Sequence, residues 1–374
     1  MSGRAVYRDG RTLARRVRCV GSAVAVVALS LLAPAVAASW SVVYLNPPGL
    51  DGANGSFGYG IGAGQQVGYV PRSANIGHAA LWTGSAASWV NLHPGGAWFS
   101  SYAHDADGGQ QVGYVEGWDI LHAALWSGSA ASFVDLHPSG WFGSTAWGIS
   151  GGQQVGYVYS WDLNPRAGRW SGSAGSFVQL HPAGWYGSVA LGTHGGQQVG
   201  YVFGTDYVRY ASLWNGTAAS WLNLNPAGST YSEAFDTFAG QQVGYARVGG
   251  VNRAALWNGT AGSWVDLHPA GAAESKAHGL SSGIQVGYAR FGNNDRAAAW
   301  FGSAGSFVDL HAFLPADFSI SQARDVWQDG SLTYVVGYGL NTTRGRFEAV
   351  MWIIPEPASL LGLCLALALL PRRR

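Results

Sequence analysis

Five histidines stand at the ends of similar short segments: His93, His137, His181, His268 and His311. A ring of imidazoles is a donor set that suits a transition metal. Two further copies of the segment carry Asn46 and Asn225 at the same place, and asparagine is a poor ligand for such a metal. Both residue types hydrogen-bond nearby backbone at a turn. These positions are therefore read as turn caps, and neither a metal nor a cofactor is expected. The stretch from His104 to Gly109, His-Asp-Ala-Asp-Gly-Gly, has oxygen ligands at calcium-like spacing. It lacks the later glutamate that completes an EF-hand loop. A third group sets aromatic rings beside charges: Trp118-Asp119, Trp161-Asp162, and Asp206-Tyr207 with Arg209. Such pairs suit sugars, the ring stacking on the apolar face of the sugar while the charged group bonds its hydroxyls. No Gly-x-Ser-x-Gly, His-Glu-x-x-His or phosphate-loop pattern occurs, and the scattered carboxylates single out no glycosidase pair.

The elements that carry these groups repeat. Gly-Gln-Gln-Val-Gly-Tyr occurs from Gly64, Gly109, Gly152, Gly196 and Gly240, with weaker copies around Gly287 and Gly337. Seven tryptophans keep the same period: Trp82, Trp126, Trp170, Trp214, Trp257, Trp300 and Trp352. Seven units of about 44 residues match four-stranded propeller blades. In the third unit the strands are expected at Ser144–Ser150, Gln153–Tyr159, Arg166–Trp170 and Ser176–His181. The last unit stops after three strands, while Ser39–Gly49 supplies one spare strand of fourth-strand type. A terminal strand completing the last blade closes the ring and removes its exposed edges. The expected fold is an all-β, seven-bladed β-propeller closed by the N-terminal strand, with an open β-solenoid as the alternative. The small residues Gly58, Ala103, Ala146, Ala190, Ala234 and Ala277 are expected where first strands converge on the axis, with a contact between blades as the alternative.

Composition agrees. Glycine is 56 of 374 residues, tryptophan 18, and charged residues only 11%, too apolar and aromatic for a disordered chain. Residues 1–37 read as a signal peptide: six arginines, an apolar run, and Ala35-Val36-Ala37 as a small-x-small cleavage site. Cys19 and Cys364 both lie in the end segments, so the body has no thiol to pair or to ligate. Without its ends the body keeps 12 basic and 18 acidic residues, which argues against nucleic acid as a partner.

At the C-terminus, Pro355-Glu356-Pro357 precedes a 13-residue apolar stretch, Ala358–Leu370, and three arginines. As a helix that stretch spans about 20 Å, short of the ~30 Å hydrocarbon core. Residues 354–374 closely resemble the PEP-CTERM sorting signal. The resemblance implies export in a Gram-negative bacterium, processing by signal peptidase and an exosortase, a transient inner-membrane segment, and association with exopolysaccharide or biofilm matrix. The repeats, through His78–Trp82, His122–Trp126 and the Gly-Gln-Gln-Val-Gly-Tyr strands that follow them, resemble the extracellular HAF-repeat family. That family implies a repeat fold at the surface and no defined activity.

The domains are thus 1–37, 38–353 and 354–374. The body is expected to be a monomer that binds or scaffolds, with extracellular polysaccharide as its ligand. A glycan-acting enzyme and a purely structural matrix protein are the alternatives. In a blade, turns one-to-two and three-to-four share one face, and here they are uniform. Connections two-to-three and four-to-one share the other face and vary, which is where a rigid scaffold places binding. Trp118, Asp119, Trp161, Asp162, Asp206, Tyr207 and Arg209 should gather there on blades two to four. The neighbouring Trp98, Trp141 and Trp185 are read either as part of that surface or as packing between blades.

Overall fold

The computed structural model describes residues 40–49, 55–73, 76–118, 120–330 and 332–355. It shows seven four-stranded antiparallel sheets, one per repeat. The first blade has strands Phe57–Gly62, Gln65–Ser73, Ile76–Trp82 and Val90–Asn91. The seventh takes Phe318–Gln328, Leu332–Asn341 and Arg346–Pro355 from the C-terminal end, and Ser41–Tyr44 pairs on as its fourth strand, Ser41 opposite Ile353 and Tyr44 opposite Val350. The ring is closed by the N-terminal strand. Pro355, the first residue of the Pro-Glu-Pro, ends the last strand opposite Leu332.

The seven repeating tryptophans are fully buried. Each seals a seam against the preceding blade: Trp126 packs with Val67, Leu81 and Leu92, and Trp82 with Leu45, Val336 and Met351. One buried indole removes about 150–250 Å² from water, roughly 4–6 kcal/mol of transfer free energy before entropy is counted. The buried glutamine of the repeat has a local task. Gln154 accepts the Gly172 N–H at 2.8 Å and donates to the Gly152 carbonyl at 2.9 Å, tying the one-to-two turn to the three-to-four turn. The seventh blade carries Val335 at this place. Its fourth strand arrives from the other end of the chain, so there is no three-to-four turn to tie.

The fourth strands are shorter than expected. In blade three only Val178–Gln179 is strand, and Ala174–Ser176 is a 3-10 turn. Ser176 causes this. Its hydroxyl accepts the Ser171 N–H and donates to the Ser173 carbonyl, which curls the chain before it can pair.

Each first strand contains a β-bulge. The register shifts after Gly58, Ala103, Ala146, Ala190, Ala234 and Ala277, the six small positions read from sequence, and after Ala323 in the seventh blade. The glycine of Val-Gly-Tyr lies opposite, and the bulge is why only glycine fits: a Cβ on Gly113 would stand 1.8 Å from the Tyr102 carbonyl oxygen.

Candidate functional site

The repeating histidines turn out to be parts of a clasp between blades. In the third seam the Ser188 hydroxyl accepts the Ala167 N–H at 2.9 Å and meets His181 Nδ1 at 2.8 Å. The same unit joins Ala79–Ser101–His93, Ala123–Ser144–His137, Ala254–Ser275–His268 and Ala297–Ser321–His311. In the two remaining seams the serine donates to Asn46 or Asn225 Oδ1, at 2.9 and 2.6 Å. What the clasp needs is an acceptor. His268 shows the tautomer, because its Nε2 is 3.0 Å from the Ala272 carbonyl and must donate there, leaving Nδ1 to accept. Burial holds the His181 pKa down to about 4 and lowers His93, His137, His268 and His311. The clasp thus extends the turn-cap reading: its partner is a serine of the next blade rather than local backbone alone.

The aromatic residues of the strand two-to-three loops lie on the face opposite the uniform turns. Trp118, Trp161 and Tyr207 are 86%, 74% and 62% exposed. Each rests on an aromatic side chain of its own blade: Trp118 on Phe99 at 5.8 Å, Trp161 on Phe142 at 5.7 Å and Tyr207 on Tyr186 at 5.6 Å between centroids. Blades three and four build the loop alike. The Leu163 N–H bonds the Ser160 carbonyl and the Tyr207 N–H bonds Gly204, each closing a four-residue turn. Asp162 and Asp206 then accept the N–H two residues on, at 3.1 Å. Leu163 and Tyr207 are left at φ of 61° and 57°, the left-handed region that bulky side chains avoid at a cost of about 1–2 kcal/mol. Two successive loops thus hold a large side chain outward in a conformation that glycine would adopt freely, a form of strain typical of functional sites. Asp162 is ionised, its pKa held at about 2 by hydrogen bonds from Ser160 and Asn164. Beside Trp161, Leu121, Phe142, Gly143, Tyr159 and Leu163 line a small cavity of about 250 Å³.

The other expected site residues are placed as follows. Arg209 binds Glu233 of blade five at 2.8 Å and lies 4.6 Å over the Tyr201 ring, so its charge is committed to the blade four–five seam. Trp98, Trp141 and Trp185 are half-buried against Phe133, Phe177 and Trp221, which is the packing alternative. Asp119, Ala35, Ala37, Glu356 and Pro357 lie outside the described residues. In the His104–Gly109 stretch, Asp105 accepts the Ile149 N–H and Asp107 the Gly151 N–H, both at 2.8 Å.

Sequence reading missed the axial channel, a cavity of about 630 Å³. The seven bulged residues line it, one from each blade: Tyr59, His104, Trp147, Leu191, Phe235, His278 and Arg324. A bulge re-aims the extra residue, and all seven are half-buried at the channel wall. The position was visible in the sequence: it follows the small residue of each first strand and differs between neighbouring repeats. Directly after the bulge stand Asp105, Asp236 and Asp325 in blades two, five and seven, with glycine in the other four. Each carboxylate takes an N–H of the next blade, from Ile149, Leu280 or Ile61, at 2.8–2.9 Å. Each also takes the N–H of the residue that follows it, at 2.7 Å. Burial pushes the Asp236 pKa up to about 8 and Asp325 up to about 6; Asp105 is also raised well above its usual value, by burial and then by the Asp325 charge. Among the described residues, no group of three or more His, Cys, Asp or Glu side chains is arranged to hold a metal ion.

No protein-family model matches the sequence, nor does any curated protein. Solved structures do resemble the fold. A puromycin hydrolase is 12% identical at a TM-score of 0.54, over 80% of this chain and 53% of that one. A puromycin-hydrolyzing peptidase of Mycobacterium tuberculosis is 13% identical at 0.50, over 82% and 55%. The chain spans about half the length of these two proteins. The β-propeller domain of the Trilobed protease from Pyrococcus furiosus is 8% identical at 0.53, over 80% and 93%. That domain is described as having an open velcro topology, whereas here the terminal strands are paired. At such identities the likeness shows a shared β-propeller fold.

Proposed function

We propose that this propeller is exported and works at the cell surface or in the exopolysaccharide matrix, where it binds glycan without catalysis. One observation carries the binding role: three consecutive blades each hold out an aromatic ring, 62–86% exposed and seated on a second ring. Large exposed aromatics lose water on contact with a sugar face and give up little conformational freedom, because the seat already fixes them. Asp162 and Asp206 beside them supply acceptors for sugar hydroxyls. Export rests on residues 1–37 and on the sorting-signal resemblance of residues 354–374. These imply signal peptidase and exosortase as processing partners; the acidic balance of the body argues against a nucleic-acid partner, and the body is taken as a monomer.

A glycan-acting enzyme is the second reading, favoured by the carboxylates and imidazoles gathered in the channel. One experiment addresses both. The protein is passed over the host's own exopolysaccharide, and the eluted polymer is sized. Retention without shortening, weakened in the Trp118→Ala/Trp161→Ala double variant at an unchanged melting temperature, supports the binder. Shortened polymer supports the enzyme, and equal retention by wild type and double variant rejects the sector.

A further inference from the structure

We infer that the axial channel is a second ligand site, one that takes a carboxylate carried on a ring with an apolar face. The bulge ring is divided into two arcs. Blades three, four and five contribute Trp147, Leu191 and Phe235, a continuous apolar wall. Blades six, seven, one and two contribute His278, Arg324, Tyr59 and His104, a polar wall with one permanent charge. The volume, about 630 Å³, is that of a small-molecule site.

Arg324 is the group that asks for a ligand. Among the described residues no carboxylate lies within ion-pair distance of it. Its guanidinium is instead held in place, 3.1 Å from His278 Nε2 and 5.4 Å over the Tyr59 ring. The neighbouring Asp325 is turned away, both its oxygens accepting backbone N–H groups. A cation fixed in an aromatic wall with no acid partner has spare donors in a fork that matches a carboxylate. His278 accepts from Arg324 and is therefore neutral, which its strongly lowered pKa, caused by burial and the Arg324 charge, supports. The other acids do not cancel the attraction. Asp236, its pKa pushed up to about 8 by burial, and Asp105, raised by burial and then by the Asp325 charge, each already bind two N–H groups; Glu233 is paired with Arg209, and Asp107 takes the Gly151 N–H. Across the channel, Trp147 is stacked on His104 at 4.0 Å and so presents a fixed face. A ring can lie on Trp147 and Phe235 while its carboxylate meets Arg324.

Two sources share this chemistry: a uronate residue of an acidic polysaccharide and a free aryl acid. Titration calorimetry of the full chain with D-glucuronate and with phenylacetate distinguishes them, with methyl glucoside and phenylacetamide as uncharged controls. Saturable binding of one acid is expected, weakened at least about tenfold by Arg324→Gln, the scale of a lost charge-assisted hydrogen bond. Leu191→Trp, which fills the opposite arc and leaves the Arg324 contacts intact, should abolish it and guards against a folding defect in Arg324→Gln. Binding of glucuronate points to the polysaccharide, and of phenylacetate to a free acid. Binding of neither acid, equal binding of the uncharged controls, or undiminished affinity in folded Arg324→Gln overturns the inference. Retention of polysaccharide by Trp118 and Trp161 is read on other variants, so either reading can fail alone.

Discussion

Replacing Ser188 by alanine tests the clasp, and its cost follows from the atoms left behind. Ser188 is fully buried. Its loss strands the Ala167 N–H, which has lost its acceptor, and the Nδ1 of His181, which has lost its donor. A buried donor left without a partner costs about 1–3 kcal/mol, and the second hydrogen bond contributes about 1 kcal/mol more. Ser188→Ala should therefore cost roughly 2–4 kcal/mol, lowering the melting temperature by about 2–4 °C per kcal/mol or slightly less for a body of this size. His181→Asn makes the contrasting case. Asn46 and Asn225 already fill this position in two other seams and accept from their serines. That substitution should cost under about 1 kcal/mol, since the acceptor survives. Urea unfolding followed by tryptophan fluorescence, with unchanged slope, measures both. A His181→Asn penalty equal to that of Ser188→Ala would refute the acceptor argument. A loss of stability on adding a chelator to the wild type would show that the histidines bind metal after all.

Deleting Ser39–Gly49 should open the ring. Trp40 and Leu45 return to water at about 1.5–3 kcal/mol each, and the ladder to Val350–Ile353 is lost. This is on the scale of a whole domain's stability of about 5–15 kcal/mol, so a lowered and broadened melt or association through the bared edge is expected; an unchanged midpoint and monomer mass sinks the closure model. Stability should also depend on pH through the channel acids. The Asp236 pKa is raised from 3.8 to about 8, so the folded state holds a proton that the unfolded chain releases. Its contribution is complete below about pH 4 and is lost as pH rises through 8. The clasp histidines, whose pKa values burial lowers, act in the opposite sense, and their contribution is largely complete above about pH 7 because a free imidazole titrates near 6.5. The wild type should then lose at most about 1.4 kcal/mol per pH unit per proton between pH 7 and 8. Asp236→Asn should give a shallower slope in differential scanning calorimetry; equal slopes contradict the assignment.

The number of blades, the closure and the division into a uniform and a variable face were legible in the sequence, because each depends on periodicity and chain order alone. A repeat of about 44 residues allows one blade per unit, and three strands at one end with one spare at the other allow one closure. Trp118, Trp161 and Tyr207 were placed by the same logic, since a loop's face follows from its rank within the blade. Arg209 stands at the same loop end of blade four, and only the structure shows that its charge is paired with Glu233 of the next blade. The clasp left a trace, a serine 7–10 residues beyond each histidine or asparagine. That it crosses a seam became evident only when neighbouring blades were in place. The channel was beyond the sequence for a stronger reason. An alternating strand assigns His104 or Arg324 to a face by counting in twos, and one bulge breaks the count. Seven bulges around one axis turn seven side chains, about 44 residues apart in the chain, into one cavity, and the charge of Arg324 takes on meaning only against the walls that surround it.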